Sequence, residues 1–533
     1  MEIIIAKKTG TYADTIEAVG VADLMTELVG VEARIEDVGP EFLIRTDRGV
    51  APDDWKIPAP GYPFIFLRKK DGTPPLGGWL DYESDQKKAQ ALRNTPRDSQ
   101  VFQSVPRPSR EYRTAAVLAS LRMTWESDKK LFRWIEKHPE EALIWVKDRI
   151  AGEGESPDPI ELSGSQFFSP ATGKGVHSTK TVSKSPGAIN KSLVNPFSEW
   201  MKYRGAFCAM LTYRHDKDFK LYVIEPGDIS VTAIRDLRHA LIDLDLWGGM
   251  RLDIQATLRL AEHLILRSDV MGAQIGLRRR RPNEIIRGLR QAFFKGLGTA
   301  AALMDDGFLP LPGWFVIEDR SAAEAFLGIV EEHIGAHGRS RGCLGSLRDD
   351  RSGDMPVLQQ YRRWLTTGDL EDFLEFSGLF SVHVVQRKAA NGNVKEFSTF
   401  YLNELFLRGY AMETKEIISN EGFLSVARAI RNSTIYAVGN NISGREPRFG
   451  LAQSWKQKMK GGAKAFVPVL SDFIQQYNWE AAHKMEGKGH SVKEKELGEV
   501  LRLIDSNGAE MVGMLLLAYG FARKPKEDVP NPD

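Results

Sequence analysis

The sequence predicts an α+β protein: an irregular α/β N-terminal body followed by an all-helical C-terminal bundle. Three observations carry this expectation. Within the first fifty residues, short apolar runs alternate with one stretch of helical spacing. From Met355 onward nearly every segment has helical period, and no two strand-like runs are joined by a tight hairpin turn. At 533 residues the chain is also long for one hydrophobic core. Three regions are therefore expected: an N-terminal α/β region over 1–155, a central region over 156–354, and a helical bundle over 355–533.

Each element has its own signal. Ile3 to Ala6 is a short apolar run with strand character. Thr11 to Leu28 carries an apolar stripe of Ile16, Val19, Val21, Leu24 and Leu28 at helical spacing. Two strand-like runs follow, Val31–Ile35 and Phe42–Thr46, with Gly39-Pro40 as a turn between them. Residues 50–110 are rich in Pro and Gly, and irregular structure is expected there. Glu111 to Ile150 turns helical. The segment 151–196 strings Gly, Ser, Thr and Lys together with little apolar content, which predicts a long loop. Asn195-Pro196 restarts structure, with Pro196 at the first position of a helix. Phe219–Glu225 has strand character and ends at Pro226-Gly227. Helices are then expected at about 230–244, 252–268 and 284–303.

Composition narrows the function classes. Lys+Arg number 72 and Asp+Glu 71, so the chain as a whole is not a basic nucleic-acid binder, and only local fields can select a polyanion. Two widely spaced cysteines, Cys208 and Cys343, supply neither a thiolate zinc site nor a disulfide framework, as in a reducing cytoplasm. No apolar run reaches the length of a membrane span, and the N-terminus lacks the order of a signal peptide. A cytoplasmic protein without a membrane partner is expected.

Three basic constellations stand out. In the first, Lys174, Lys180, Lys184 and Lys191 lie among glycines and hydroxyls, with Asn190 beside them. A Gly/Ser-rich backbone brings main-chain N–H groups close to phosphate while the ammonium groups supply charge. The Gly173-Lys174 pair is not a nucleotide-binding P-loop, because Phe168 stands where its first glycine belongs and Gly175 where its hydroxyl belongs. The second runs Arg278, Arg279, Arg280, Arg281, then Arg287 and Arg290 on the helix expected after Pro282, with Phe293 and Phe294 nearby for stacking. The third, Arg339, Arg341, Arg348, Arg351, Arg362 and Arg363, is interleaved with Asp349, Asp350 and Asp354, which predicts local salt bridges.

Catalytic signatures are missing. The sequence contains no H-E-x-x-H or C-x-x-C. His215-Asp216 is an isolated dyad, and Asp243/Asp245 sit at a helix end where a capping or surface role is expected. The expectation is a protein without catalytic residues, metal or cofactor.

The segments SQFFSPATGKG, NPFSEWMKYRGAFCAML and DKDFKLYVIEPGDIS resemble the large subunit of type I CRISPR surveillance complexes (Cascade), and the layout of an α/β body before a helical bundle is similar. The resemblance implies a non-enzymatic subunit that holds the 5′ end of the guide RNA and contacts the other Cascade subunits. It further implies reading of the protospacer-adjacent motif of target DNA, largely through the minor groove, and recruitment of a helicase-nuclease. On that reading Lys174, Lys180 and Lys184 belong to a Gly/Lys loop near nucleic acid, and Asn190 and Lys191 reach base edges. Arg278–Arg281 contact the backbone, and the bundle lines the displaced strand through Lys456, Lys458, Lys460 and Lys464, with Arg445 and Arg448. Base pairing then reads the sequence, while the protein reads the short motif and shape. A nucleic-acid-binding scaffold of another defence or mobile-element system, and a nuclease with dispersed carboxylates, are the other readings.

Overall fold

A computed structural model divides the chain into two compact units, Met1–Leu246 with Asn283–Pro310 and Trp247–Pro282 with Leu311–Asp533. It describes residues 1–48, 55–56, 64–66, 79–96, 99–120, 125–152, 157–160, 195–215, 218–244, 246, 249–297, 300–336, 340–439, 445–485 and 489–524. The architecture is mixed α and β, with the strands in the first unit and a largely helical C-terminal part.

The strands of the first unit are, in chain order, β1 (Glu2–Ala6), β2 (Ala33–Asp37), β3 (Glu41–Thr46), β4 (Phe64–Phe66), β5 (Trp79–Asp81), β6 (Met210–His215), β7 (Asp218–Pro226), β8 (Asp228–Ser230), β9 (Ile286–Leu297) and β10 (Ala300–Pro310). One antiparallel sheet has the order β1-β3-β2-β8 and a second the order β10-β9-β7-β6; β4 and β5 pair in parallel. The opening strand, helix, strand, strand sequence is thus present. Its helix, Tyr12–Val29, starts where the Thr11 hydroxyl accepts the Ala13 N–H at 3.2 Å.

That helix is buried at sixteen of its eighteen positions, which is why its apolar stripe is broad and its charges are paired. It crosses the helix Pro196–Ala209, capped by the Asn195 side chain. A Cβ on Gly20 would stand 1.8 Å from the Met201 carbonyl oxygen, and one on Gly205 1.7 Å from that of Ile16. Only glycine permits this backbone approach. Around the crossing, Arg204 pairs with Asp23 and Glu27, each at 2.6 Å, and Lys202 with Glu199 at 3.1 Å. The buried charges are therefore compensated, as burial demands.

Two expectations are corrected. The span 284–303 is not helical: after a single turn at Pro282–Ile285 the chain forms β9, then β10. β9 is a central strand between β7 and β10 and is buried at Ile286, Leu289, Ala292 and Phe294. Those spacings of three, three and two fit a helical stripe as readily as a strand covered on both faces. Within 50–110, Tyr82–Asn94 and Gln100–Ser104 are helices rather than irregular chain. Asp81 and Ser99 cap them, accepting the N–H groups of Ser84 at 3.0 Å and Phe102 at 3.2 Å.

The second unit has helices at Met250–Leu266 and Arg320–Ile334, followed from Met355 by a succession of helices, as the periodicity predicts. Its core is aromatic: Trp314 stacks on Phe326 and Trp364 at 4.8 and 4.7 Å, and Trp364 donates its indole N–H to Tyr410 at 2.9 Å. The helix Ala509–Gly520 is buried at ten of twelve positions and runs through the bundle as its apolar centre. Among the described residues no helix is long and apolar enough to cross a membrane.

Candidate nucleic-acid interface

The basic residues separate into those that serve the fold and those that remain available. Lys174, Lys180, Lys184, Asn190 and Lys191 lie outside the described residues. Arg278, Arg279 and Arg281 are exposed and Arg280 is half-buried. Their backbone is held firmly: the Asp269 carboxylate accepts the N–H groups of Leu277 at 2.8 Å and Arg278 at 3.1 Å. Arg279 donates its N–H to Ile317, and Ile317 donates back to Arg280. Arg279 takes a left-handed φ of 62°, which a residue with a Cβ keeps only when its surroundings impose it.

Arg287 and Arg290 do not share a helical face. Both lie on β9, Arg287 at the register shift between β7 and β9 and Arg290 in the regular ladder opposite Val223. Arg287 is exposed, 3.5 Å from Asp37. Arg290 is paired with Glu225 and lies over the Phe308 ring at 5.1 Å. Burial lowers its pKa, but the hydrogen-bonded Glu225 carboxylate offsets this and the net direction is upward. Of the third constellation, Arg348 pairs with the interleaved Asp350 at 2.5 Å as expected, whereas Arg362 and Arg363 pair with acids outside it, Asp253 at 3.1 Å and Asp372 at 3.0 Å. Arg339 lies outside the described residues.

In the bundle, Arg445 and Arg448 are structural. Arg445 is buried, lies 3.6 Å from the Tyr477 ring centroid and faces Glu480, which also takes Arg448 at 2.8 Å. Lys456 pairs with Glu375. Lys458, Lys460 and Lys464 are exposed and have no acidic partner among the described residues. They are grouped by a tight corner between the helices Leu451–Met459 and Ala463–His483, where Gly462 adopts φ 71° and Gly461 donates its N–H to Lys458.

Sequence reasoning missed the aromatic part of this surface. Trp479, near the other end of Ala463–His483, is 52% exposed. The His483 ring stacks on it at 4.9 Å, and the Lys484 ammonium lies 5.7 Å from its centroid. Fifteen residues separate Lys464 from Trp479, about 22 Å along a helix. The exposed residues between them include Pro468, Gln475, Gln476 and a single acid, Asp472. Exposure of a tryptophan depends on what packs beside it, and no local pattern reports that. Ammonium groups at one end of an exposed stripe and a half-exposed indole at the other can hold a single strand by charge and base stacking, without reading sequence.

Asp243 is exposed and 3.3 Å from Arg110, while Asp216 and Asp245 lie outside the described residues. Among the described residues, no group of three His, Cys, Asp or Glu side chains is placed to hold a metal ion. Both cysteines are buried. No protein-family model and no curated protein sequence matches the chain.

Proposed function

We propose that this chain is a large subunit of an RNA-guided, DNA-targeting complex of the type I CRISPR class. It binds the guide RNA 5′ end and the protospacer-adjacent motif of target DNA beside the other Cascade subunits. Cleavage of DNA belongs to the helicase-nuclease it helps recruit. The observation that carries the nucleic-acid part of this reading is the group of exposed Lys458, Lys460 and Lys464 at one helix corner, without acidic partners among the described residues, together with the exposed Trp479 farther along the helix Ala463–His483. The resemblance of the three segments within 165–230 supports the choice of complex, and the exposed Arg278, Arg279 and Arg281 supply sequence-independent phosphate contacts. The test is copurification from the native host. The reading expects the chain to emerge with partner subunits and a small RNA of uniform length. A chain that emerges without RNA, and binds labelled single strands no better than a neutral control protein, overturns it.

A further inference from the structure

The second unit contains an arrangement that neither the sequence motifs nor the nucleic-acid reading uses. Ser346 closes the short turn Cys343–Ser346, Asp354 immediately precedes the helix Met355–Thr367, and His383 lies on the helix Leu370–Ala389. The Ser346 hydroxyl is 3.0 Å from His383 Nε2, and His383 Nδ1 is 3.2 Å from Asp354 Oδ1. The other oxygen of Asp354 accepts the Arg348 N–H at 3.0 Å, which fixes the carboxylate. Burial grades along the chain: Asp354 and His383 side chains are 9% and 8% exposed, while Ser346 is half-buried.

This is the order of groups an activated serine requires: a hydroxyl, an imidazole and a buried carboxylate that sets the imidazole tautomer. With Nδ1–H directed at Asp354, the Nε2 lone pair faces Ser346. Burial lowers the His383 pKa, Asp354 opposes that, and Arg387 and Arg351 reinforce it, so the ring is neutral and able to accept a proton. The two arginines also mark the ligand. Arg351 is exposed without an ion pair among the described residues, and Arg387, one turn beyond His383, keeps a buried Nε–H without an acceptor there.

We propose that Ser346, His383 and Asp354 form an acyl-transfer site that hydrolyses carboxylic esters bearing a negative charge. Ser346 Oγ attacks the ester carbonyl carbon and its proton passes to His383 Nε2. The carbon–oxygen bond to the alcohol breaks, and His383 returns the proton to the departing alkoxide. Water, deprotonated by His383, then attacks the acyl-serine, releasing the carboxylic acid and restoring the serine hydroxyl. Ester and water become acid and alcohol. Asp354 is a positioning residue. The activity is separate from nucleic-acid binding and replaces the expectation that the chain has no catalytic residue.

The test uses the full chain with a fluorophosphonate probe, followed by peptide mapping. The expected result is a single label on Ser346 that is lost in Ser346→Ala and His383→Gln and slowed at least tenfold in Asp354→Asn, with melting temperatures recorded for each variant. The chain should also hydrolyse 4-nitrophenyl hemisuccinate at least fivefold faster than 4-nitrophenyl acetate, and Arg351→Ala should erase that preference. Wild-type protein that takes no label at Ser346 overturns the proposal by itself and leaves the three groups as a structural brace. Labelling that persists in a folded His383→Gln variant overturns it equally. Oligonucleotide binding is unaffected in either case, so failure here does not touch the nucleic-acid reading.

Discussion

Replacing Lys458, Lys460 and Lys464 together with alanine removes three exposed cations that have no acidic partner among the described residues. Each phosphate neutralised on a single strand contributes about 0.7 to the slope of log affinity against log salt, so the triple variant should lose about 2 from that slope. At roughly 0.1 M salt this corresponds to on the order of a hundredfold weaker binding, independent of base sequence. Because the three side chains are exposed, folding stability should change by less than about 0.5 kcal/mol. Fluorescence anisotropy with a labelled oligothymidine across a salt series measures slope and affinity together. Trp479→Ala is the complementary perturbation: it should cost about 1–3 kcal/mol at every salt concentration and leave the slope alone. An unchanged slope in the triple lysine variant, with an unchanged melting temperature, would refute the assignment of this corner to phosphate.

Alanine at Arg278, Arg279, Arg280 and Arg281 should weaken all duplexes alike and flatten their salt dependence; a loss confined to one flanking sequence would contradict a backbone role. Gly205→Ala places a methyl group 1.7 Å from the Ile16 carbonyl and should destabilise the first unit by at least about 3 kcal/mol in denaturant unfolding; a change under about 1 kcal/mol would mean the two helices do not cross as described. A pH prediction concerns the adjacent Glu332 and His333. Burial pushes the Glu332 carboxyl from 4.5 up to about 7, opposed by hydrogen bonds from Ser398 and by the charge of Arg523. Burial, helped by Lys395, pushes His333 from 6.5 down to about 3. The folded state thus prefers Glu332 protonated, a stabilisation complete below 4.5 and lost as pH rises to about 7. It prefers His333 neutral, a stabilisation complete above 6.5 and lost as pH falls toward 3. The two slopes cancel between 4.5 and 6.5. Glu332→Gln should expose the histidine term, with stability rising about 1.4 kcal/mol more than that of the wild type from pH 5 to pH 6; equal slopes in variant and wild type would refute the balance.

Where the determining interaction is local, the sequence suffices. Thr11 and Asn195 cap the helices they precede, Pro196 occupies a first helical position, and Pro226-Gly227 ends β7. The helical period after Met355 survives because each of those helices buries one stripe against the others, so the pattern reports the packing. The lysines around Gly461-Gly462 come from the resemblance, which calls for basic residues on the bundle, and only the structure separates the paired Lys456 from the exposed Lys458, Lys460 and Lys464. Where the partner is distant, the sequence is silent. β9 resembles a helix because a strand covered on both faces loses its alternation, and only β7 and β10 decide the matter. Arg290 resembles a phosphate ligand until Glu225, sixty-five residues earlier, occupies it, and Arg445 until Glu480 does. Trp479 is an ordinary helix aromatic until the bundle leaves it half exposed. Ser346, Asp354 and His383 carry no motif, because a turn, a helix start and a helix middle meet only when the second unit packs. The sequence by itself determined the fold class, most helices and the distribution of charge, since these rest on propensity, capping and period along the chain. Tertiary structure alone decided which charges are spent on the fold and which stay open to a ligand, because burying a charge requires a partner and the chain brings that partner from anywhere along its length.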